Sequence, residues 1–175
     1  SCFNFLPLNL CYNHCMKTVL ITGASRGIGE AIAKKLNKSY NLVLTYNKNK
    51  DKALNLLEKL RKENPNAIAV KCDVKNENEV NNLFDLAEKN FSHIDILINN
   101  AGISYFGLLQ DMDFSSWNDI INTNLSSIFL TSKRAIPYMV SQKSGVIINM
   151  SSIWGNLGAS FEVAYSASKG GINSF

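Results

Sequence analysis

Short apolar runs alternate with segments of helical periodicity along most of this chain. The apolar runs are too short for helices and are rich in β-branched residues, so they predict buried strands at 18–21, 42–45, 67–72, 94–98 and 146–150. Because each run is almost wholly apolar, the strands should be covered on both sides. Strands that alternate with helices predict an α/β fold, in which a parallel sheet carries helices on both faces.

The helices are predicted from apolar residues that recur every three or four positions. One helix is expected over 51–63, and a longer one over 116–142, where Pro137 should bend the helix or mark a late break. Asn76 and Glu79 resemble a capping box that opens a helix ending near Phe91. A last helix begins near Ala164, and the sequence stops about ten residues later without a stop signal, so we expect the chain to be truncated at its C-terminus.

Composition narrows the class of protein. The chain has 175 residues, of which 46% are hydrophobic and 18% charged, which suits one globular domain. Its net charge is +4, and its cations are scattered among acids, so nucleic-acid binding is not indicated. No apolar stretch approaches the roughly 20 residues of a membrane helix.

Residues 1–15 differ from the rest of the chain because they contain no Asp, Glu, Lys or Arg. Residues of metal-ligating type occur here, namely Cys11, His14 and Cys15. No second pair of such ligands follows at the spacing of a zinc site, so we predict no metal site. Met16 directly precedes the first strand, which suggests that 1–15 are a non-native or disordered extension and 16–175 the domain. Cys72 is then the lone cysteine of the body, as is typical of a reduced cytoplasmic protein.

A glycine turn joins the first strand to the first helix. The first N–H groups of a helix have no internal partner and carry partial positive charge, so a phosphate fits there. Glycines allow the backbone to bend and a pyrophosphate to approach closely. A tight connection with no ligand is the alternative, since the spacing departs from G-x-G-x-x-G. The residues that we assign here to cofactor binding are Gly23, Ser25, Arg26, Gly27, Ile28 and Gly29.

The ends of the next strands extend this prediction, because ligands of open parallel sheets bind beyond the carboxyl ends of the strands. Asn47 and Lys48 follow the second strand, where no acid is present to hold the ribose hydroxyls of NAD. Arg26 and Lys48 would instead face a 2′-phosphate, so NADP(H) is favoured over NAD(H). For Lys48 alone, a solvated loop is the simpler interpretation.

Two further strand ends carry candidate cofactor residues. Asp73 and Val74 follow the third strand, and the Asp73 carboxylate is suited either to accept a hydrogen bond from an adenine amino group or to cap the next turn. The fourth strand leads into the small, amide-rich segment 99–102. It suits a cofactor that passes close by, or bonds that hold neighbouring strands together, and its candidate cofactor residues are Asn100, Ala101 and Gly102.

A reactive set follows the fifth strand. Tyr165 and Lys169 are four positions apart in the last helix and share one face. A nearby ammonium lowers the phenol pKa from about 10, so Tyr165 would exchange a proton with a carbonyl or alcohol oxygen. Ser152 could hold that oxygen, and Asn124 could complete a polar relay to water. Tyr46 and Lys50 repeat the same spacing, and we interpret that pair as surface.

Segment 17–175 resembles the short-chain dehydrogenase/reductase family. The similar motifs are T-G-x3-G-x-G at 22–29, N-N-A-G at 99–102 and the tetrad of Asn124, Ser152, Tyr165 and Lys169. The resemblance implies a Rossmann-like, doubly wound sheet and carbonyl reduction by NADPH. It implies that Tyr165 is the general acid and that Lys169 lowers its pKa and holds the nicotinamide ribose. Ser152 would orient the carbonyl, and Asn124 would anchor the relay.

Substrate and partners follow from the resemblance only as alternatives. The Arg26 turn is similar to that of bacterial 3-oxoacyl-[acyl-carrier-protein] reductases. Segments 152–155 and 158–166 are similar to reductases of 5-aminopentanone-modified elongation factor P, where Glu162 would face a substrate amine unless it is merely an exposed loop acid. A third possibility is a non-catalytic, nucleotide-binding scaffold, against which the intact tetrad argues.

The resemblance also implies a cytoplasmic homodimer or homotetramer, with acyl carrier protein or elongation factor P as possible partner. Lys133, Arg134 and Lys143 would either receive an acidic carrier or remain solvated. Family members continue past the last helix with a further strand, a substrate-covering lid and a final strand. We therefore do not expect this segment to be active alone.

Overall fold

The structure, a computed structural model, describes residues 16–175. The predictions for residues 1–15, including the Cys11, His14 and Cys15 pattern, lie outside this range. A five-stranded parallel sheet has the order β3-β2-β1-β4-β5. Its strands are β1 Thr18–Ile21, β2 Asn41–Tyr46, β3 Ala67–Lys71, β4 Ile96–Asn99 and β5 Val146–Asn149. Every predicted strand is present within two residues at each end.

Helices follow each strand, as the periodicity predicts. They are α1 Gly27–Leu36, α2 Lys50–Arg61, α3 Glu77–Phe91, α4 Phe114–Ile121, α5 Ser127–Ser141, α6 Trp154–Leu157 and α7 Val163–Ser174. A 3-10 turn covers Leu109–Asp111. The short helix α6 lies between β5 and the last helix, where the sequence analysis predicted no helix.

The prediction of one continuous helix over 116–142 is wrong in one respect. A π-helical turn, Asn122–Ser126, separates α4 from α5. Pro137, which we expected to cause any irregularity, lies inside α5. Apolar periodicity does not detect this π-turn, because the apolar residues on either side of it still recur every three or four positions.

Successive residues of the central strand point to opposite faces of the sheet, and each face has its own core. Leu20 packs with Phe84 of α3 and Met139 of α5. Its neighbours Val19 and Ile21 pack on the other face with residues of α1 and α2. The sheet is therefore doubly wound, as predicted, and its strand order is the one typical of Rossmann folds.

The outer strand β5 is less covered than the predicted two-sided burial requires. Val146 and Ile148 are 50% and 43% exposed, whereas the residues of β1 are all buried. Within residues 16–175, helices therefore cover both faces of the central strands but leave one face of β5 open. This difference reflects the position of β5 at the edge of the sheet.

The capping-box prediction is half correct. Asn76 caps α3, because its side-chain oxygen accepts hydrogen bonds from the backbone N–H groups of Asn78 and Glu79. The Glu79 carboxylate, however, accepts from the backbone N–H of Asp73 at 2.8 Å and does not return to Asn76. Glu79 therefore fixes the loop that follows β3, one of the loops predicted to contact a cofactor.

The strand order reverses between β1 and β4, which are neighbours although they are not consecutive. In an open α/β sheet such a reversal leaves a crevice at the carboxyl ends of the strands, and ligands bind there. The glycine turn leaves β1 at this point, and the amide-rich segment leaves β4 beside it. The backbone N–H of Thr22 donates to the carbonyl of Ile98 and closes the base of the crevice.

Candidate active site

The glycine turn between β1 and α1 has the tight conformation that its glycines predict. Gly23 and Gly27 have positive φ values of 64° and 61°, which L side chains rarely adopt. A Cβ on Gly23 would lie 2.9 Å from the Cα of Ala101, and one on Gly29 would lie 2.6 Å from Nδ2 of Asn100. Gly23 and Gly29 therefore let the turn after β1 pack against the segment after β4, whereas Gly27 faces open space.

Thr22 and Asn100 hold these two segments together. The Thr22 hydroxyl oxygen accepts hydrogen bonds from the backbone N–H groups of Asn100 and Ala101, both at 3.0 Å. The Asn100 amide donates to the carbonyls of Thr22 and Gly23. The geometry therefore supports the strand-clamping alternative for the Asn100 side chain, while its residue still borders the crevice. Sequence reasoning did not assign Thr22 a role.

Asn99 extends this clamp across the sheet. Its side-chain amide donates to Oδ1 of Asn149 on β5, and its oxygen accepts from the buried hydroxyl of Thr131 on α5. The amide-rich segment thus binds three neighbouring elements by side-chain hydrogen bonds. Such bonds fix the floor of the crevice.

A cavity of about 520 Å³ lies above this floor. It extends from the glycine turn across the ends of β2 and β3 to the segment after β4. Of the cofactor residues predicted in these loops, Gly29 is buried and does not border the cavity. All the others border it: Gly23, Ser25, Arg26, Gly27, Ile28, Asn47, Lys48, Asp73, Val74, Asn100, Ala101 and Gly102. The structure therefore brings together residues that are far apart in the sequence.

Lys75 also borders the first cavity, although the sequence analysis did not predict it as a site residue. Its ammonium makes an ion pair with the carboxylate of Asp119 on α4 and lies 3.9 Å from that of Asp73. The hydrogen bond to Asp119 raises the Lys75 pKa. Asp73 Oδ1 accepts from the backbone N–H of Lys75, which supports its predicted turn-capping alternative. The neighbouring thiol of Cys72 is buried, and burial raises its pKa to about 12.

A second cavity of about 460 Å³ contains three of the four predicted catalytic residues: Ser152, Tyr165 and Lys169. Gly102 and Ile28 border both cavities, so the two adjoin. A molecule that extends from the first cavity past Gly102 would enter the cavity that Tyr165 borders.

Lys169 is the charged centre of this cavity. It is only 5% exposed, and its ammonium donates to the carbonyl oxygen of Met150 at 2.5 Å. The same ammonium lies 5.5 Å from the ring centroid of Tyr165. Burial lowers the Lys169 pKa, because it disfavours the charged form. The predicted Tyr-x3-Lys pair is thus a spatial pair as well.

Asn124 lies behind the other three residues, in the π-helical turn, and is fully buried. Its Oδ1 accepts from the backbone N–H of Ile103, and its Nδ2 donates to the carbonyl of Ile103 and to the hydroxyl of Ser168. Asn124 therefore ties the loop after β4 to α7. The sequence signal for Ser168 was available: a polar residue on the inward face of a partly apolar helix.

Glu162 borders the same cavity as Tyr165 and is half-buried. It directly follows Phe161, whose φ of 63° is rare for an aromatic residue. The Phe161 ring stacks on the Phe106 ring with 5.2 Å between centroids. The backbone carbonyl of Phe161 accepts a hydrogen bond from the N–H of Gly107. Glu162 therefore borders the cavity of Tyr165 and is not a fully exposed loop acid.

Two of the three cations predicted to receive an acidic carrier form ion pairs with neighbouring acids, and the third, Lys143, is exposed. Lys133 pairs with Glu77 at 3.0 Å, and Arg134 pairs with Asp85 at 2.8 Å. These contacts join α5 to α3. They neutralise part of the positive charge that an acidic partner would need.

Tyr46 and Lys50, which repeat the spacing of Tyr165 and Lys169, lie in a different environment from that pair. Tyr46 ends β2 and is 9% exposed, so the prediction that it lies on the surface is wrong. Lys50 is exposed, as predicted, at the start of α2. Tyr46 borders neither cavity.

The fold and the crevice together define a Rossmann-like α/β protein with a Ser, Tyr and Lys set beside the crevice. The family model of the short chain dehydrogenases matches residues 17–175, and the chain belongs to this family. None of the helices within residues 16–175 has the length and hydrophobicity that a membrane crossing requires.

Several curated relatives are more than a third identical to the chain over the aligned residues. A 3-oxoacyl-[acyl-carrier-protein] reductase, FabG, of Buchnera aphidicola is 39% identical over 159 residues, which are 91% of this chain and 64% of that protein. FabG of Staphylococcus aureus is 38% identical, over 89% of this chain and 64% of that protein. An uncharacterized oxidoreductase of Bacillus subtilis, YmfI, is 38% identical, over 91% and 65%. The chain thus spans about two thirds of the length of these relatives.

Proposed function

We propose that the protein containing this chain is an NADPH-dependent carbonyl reductase, whose substrate is a 3-oxoacyl thioester. The observation that carries the proposal is the placement of Ser152, Tyr165 and Lys169 in one cavity that adjoins the crevice under the glycine turn. The similarity to two 3-oxoacyl-[acyl-carrier-protein] reductases supports the choice of substrate.

The crevice fits a dinucleotide. Gly27 would meet no atom within 4 Å if it carried a Cβ, so the backbone at the start of α1 is open to an approaching phosphate. Residues of the glycine turn would hold the pyrophosphate, and Asp73 and Val74 would border the adenine. Residues 16–175 would thus form the cofactor domain. Bound NADPH supplies a hydride.

The residues of the second cavity have distinct tasks in this proposal. Tyr165 donates its hydroxyl proton to the carbonyl oxygen, and Ser152 holds that oxygen by a hydrogen bond. The Lys169 ammonium stabilises the phenolate that remains, since opposite charges attract strongly in a partly desolvated site. Asn124 anchors the path by which Tyr165 regains its proton.

The test is an assay of the full-length protein that contains this chain, with acetoacetyl thioester as substrate and either NADPH or NADH. We expect oxidation of NADPH with reduction of the thioester, and slower oxidation of NADH. Tight NADPH binding without any thioester reduction would contradict the substrate and leave the cofactor proposal standing.

Cofactor choice is tested at Arg26. Arg26 and Lys48 are exposed at the rim of the crevice, where they would pair with a 2′-phosphate. A hydrogen bond to a charged group contributes about 1.5–3 kcal/mol, so Arg26→Ala should lower the ratio of kcat/KM for NADPH to that for NADH roughly 10-fold or more. Lys38→Ala is the control, because Lys38 is an exposed cation that borders neither cavity. An unchanged ratio in Arg26→Ala would oppose the assignment.

Glu162 favours a second candidate, reduction of 5-aminopentanone-modified elongation factor P. Its carboxylate borders the cavity of Tyr165, where it would attract a substrate ammonium. The modified elongation factor P is therefore the second substrate of the same assay. Its reduction, in the absence of thioester reduction, would replace the first candidate with this one.

We also propose that the full-length protein is cytoplasmic and forms a homodimer or homotetramer. Exposed aromatic side chains on α4 and α5 support self-association, since Phe114 is 77% and Phe129 52% exposed.

A further inference from the structure

Ser168 lies at a buried junction between two elements of the site. It is fully buried on α7, one residue before Lys169. Its hydroxyl donates to the carbonyl oxygen of Tyr165 at 2.7 Å and accepts from Nδ2 of Asn124 at 3.0 Å. One hydroxyl group thus joins the helix that carries Tyr165 to the π-helical turn.

The orientation of the Asn124 amide is determined by its partners. Oδ1 faces the N–H of Ile103 at 2.8 Å, and Nδ2 faces the Ile103 carbonyl at 2.9 Å. A flipped amide would set a donor against the N–H and an oxygen against the carbonyl. Nδ2 has two hydrogens, so its second bond must go to Ser168. Without that hydroxyl, one buried N–H would lose its partner.

Packing around α7 makes its position sensitive to this bond. A Cβ on Gly171 would lie 2.6 Å from Cδ2 of Leu125, and a Cβ on Gly155 would lie 2.7 Å from the carbonyl carbon of Lys169. The helix therefore packs closely against the Leu125 side chain of the π-helical turn on one side and against α6 on the other. A shift that re-pairs Asn124 would move Tyr165 and Lys169 with the helix.

We infer that Ser168 is a positioning residue, which sets Tyr165 and Lys169 at a fixed distance from Asn124 and from the loop that Ile103 begins. Ile103 borders both cavities, so the same bond also orders the wall between the crevice and the catalytic residues. This role rests on the proposed reduction, and it adds a residue that touches neither substrate nor cofactor.

Ser132 provides a matched control. It is also a buried serine, 2% exposed on α5, but its hydroxyl has no hydrogen-bond partner within the described residues. Ser132→Ala and Ser168→Ala remove the same atom from a buried helix. Only the second change breaks a connection between two elements.

The experiment measures kcat, the Kd of NADPH and the amide exchange of Ile103 in the full-length protein and both variants. Ser168→Ala should lower kcat roughly 10-fold, since mispositioning of catalytic groups by a fraction of an ångström is costly. NADPH affinity should stay within about threefold, because the glycine turn is unchanged. The Ile103 amide should exchange faster, while the amides of α1 and α2 keep their protection. Ser132→Ala should change none of these quantities.

The inference would be overturned by an unchanged kcat and Ile103 exchange in Ser168→Ala. It would also be overturned by equal losses in both variants, or by faster exchange throughout the chain. If the wild-type protein reduces no ketone, the proposed function fails, and the local exchange of Ile103 still tests the connection independently.

Discussion

Tyr165→Phe is expected to lower kcat for the carbonyl substrate by about 10³-fold, because it removes the only proton that the proposed mechanism delivers to the carbonyl oxygen. The ring remains, so the shape of the cavity is kept. The hydroxyl makes no hydrogen bond to any residue within the described range, and its loss leaves no buried partner unsatisfied. Thermal stability should therefore not change, and the Kd of NADPH should stay within about threefold.

Tyr46→Phe is the matched control, since Tyr46 and Lys50 have the same sequence spacing as the active pair. Tyr46 borders neither cavity, so its variant should keep wild-type kcat. Steady-state kinetics and a fluorescence titration with NADPH separate the two effects. Residual activity of Tyr165→Phe within 10-fold of wild type would exclude Tyr165 as the general acid.

Most of the fold could be predicted from the sequence, because strands and helices are indicated by local hydrophobic patterns. Each strand is a short apolar run, and the doubly wound topology follows from the alternation with helices. The placement of Gly23 and Gly29 was predictable for a different reason. Only glycine leaves room for another segment 3 Å away, and the sequence shows the glycines directly.

Other parts of the site depend on contacts that the local sequence pattern does not report, so they could not be predicted. Thr22 looks like an ordinary end of a strand, and its hydroxyl gains a role only because Asn100, 78 positions later, lies beside it. Glu79 was assigned to a local capping box, but Asp73 offers a competing N–H after the chain has turned. The π-helical turn likewise reflects the tertiary bonds of Asn124, which no periodicity reports.

Lys169→Met is expected to lower kcat by about 10²-fold or more, because it removes the charge that stabilises the Tyr165 phenolate. The effect of this substitution on the free energy of unfolding should depend on pH. Burial lowers the Lys169 pKa below its ordinary value of 10.5. Between those two pKa values the unfolded chain binds more protons than the folded chain, so the free energy of unfolding of the wild type rises with pH across that window.

The methionine variant lacks this contribution, so the difference in stability between Lys169→Met and wild type should shift in favour of the wild type as the pH rises from 7 toward 10. The sign of the shift does not depend on the hydrogen bond to Met150, whose loss adds a cost that is nearly constant with pH. Denaturant unfolding at several pH values measures it, with Lys35→Met as the control for removal of an exposed cation. A parallel pH dependence of the wild type and Lys169→Met would show that the ammonium is not destabilised by burial. The Lys169 site would then be better solvated than the mechanism requires, and the attraction between its ammonium and the phenolate would be weaker.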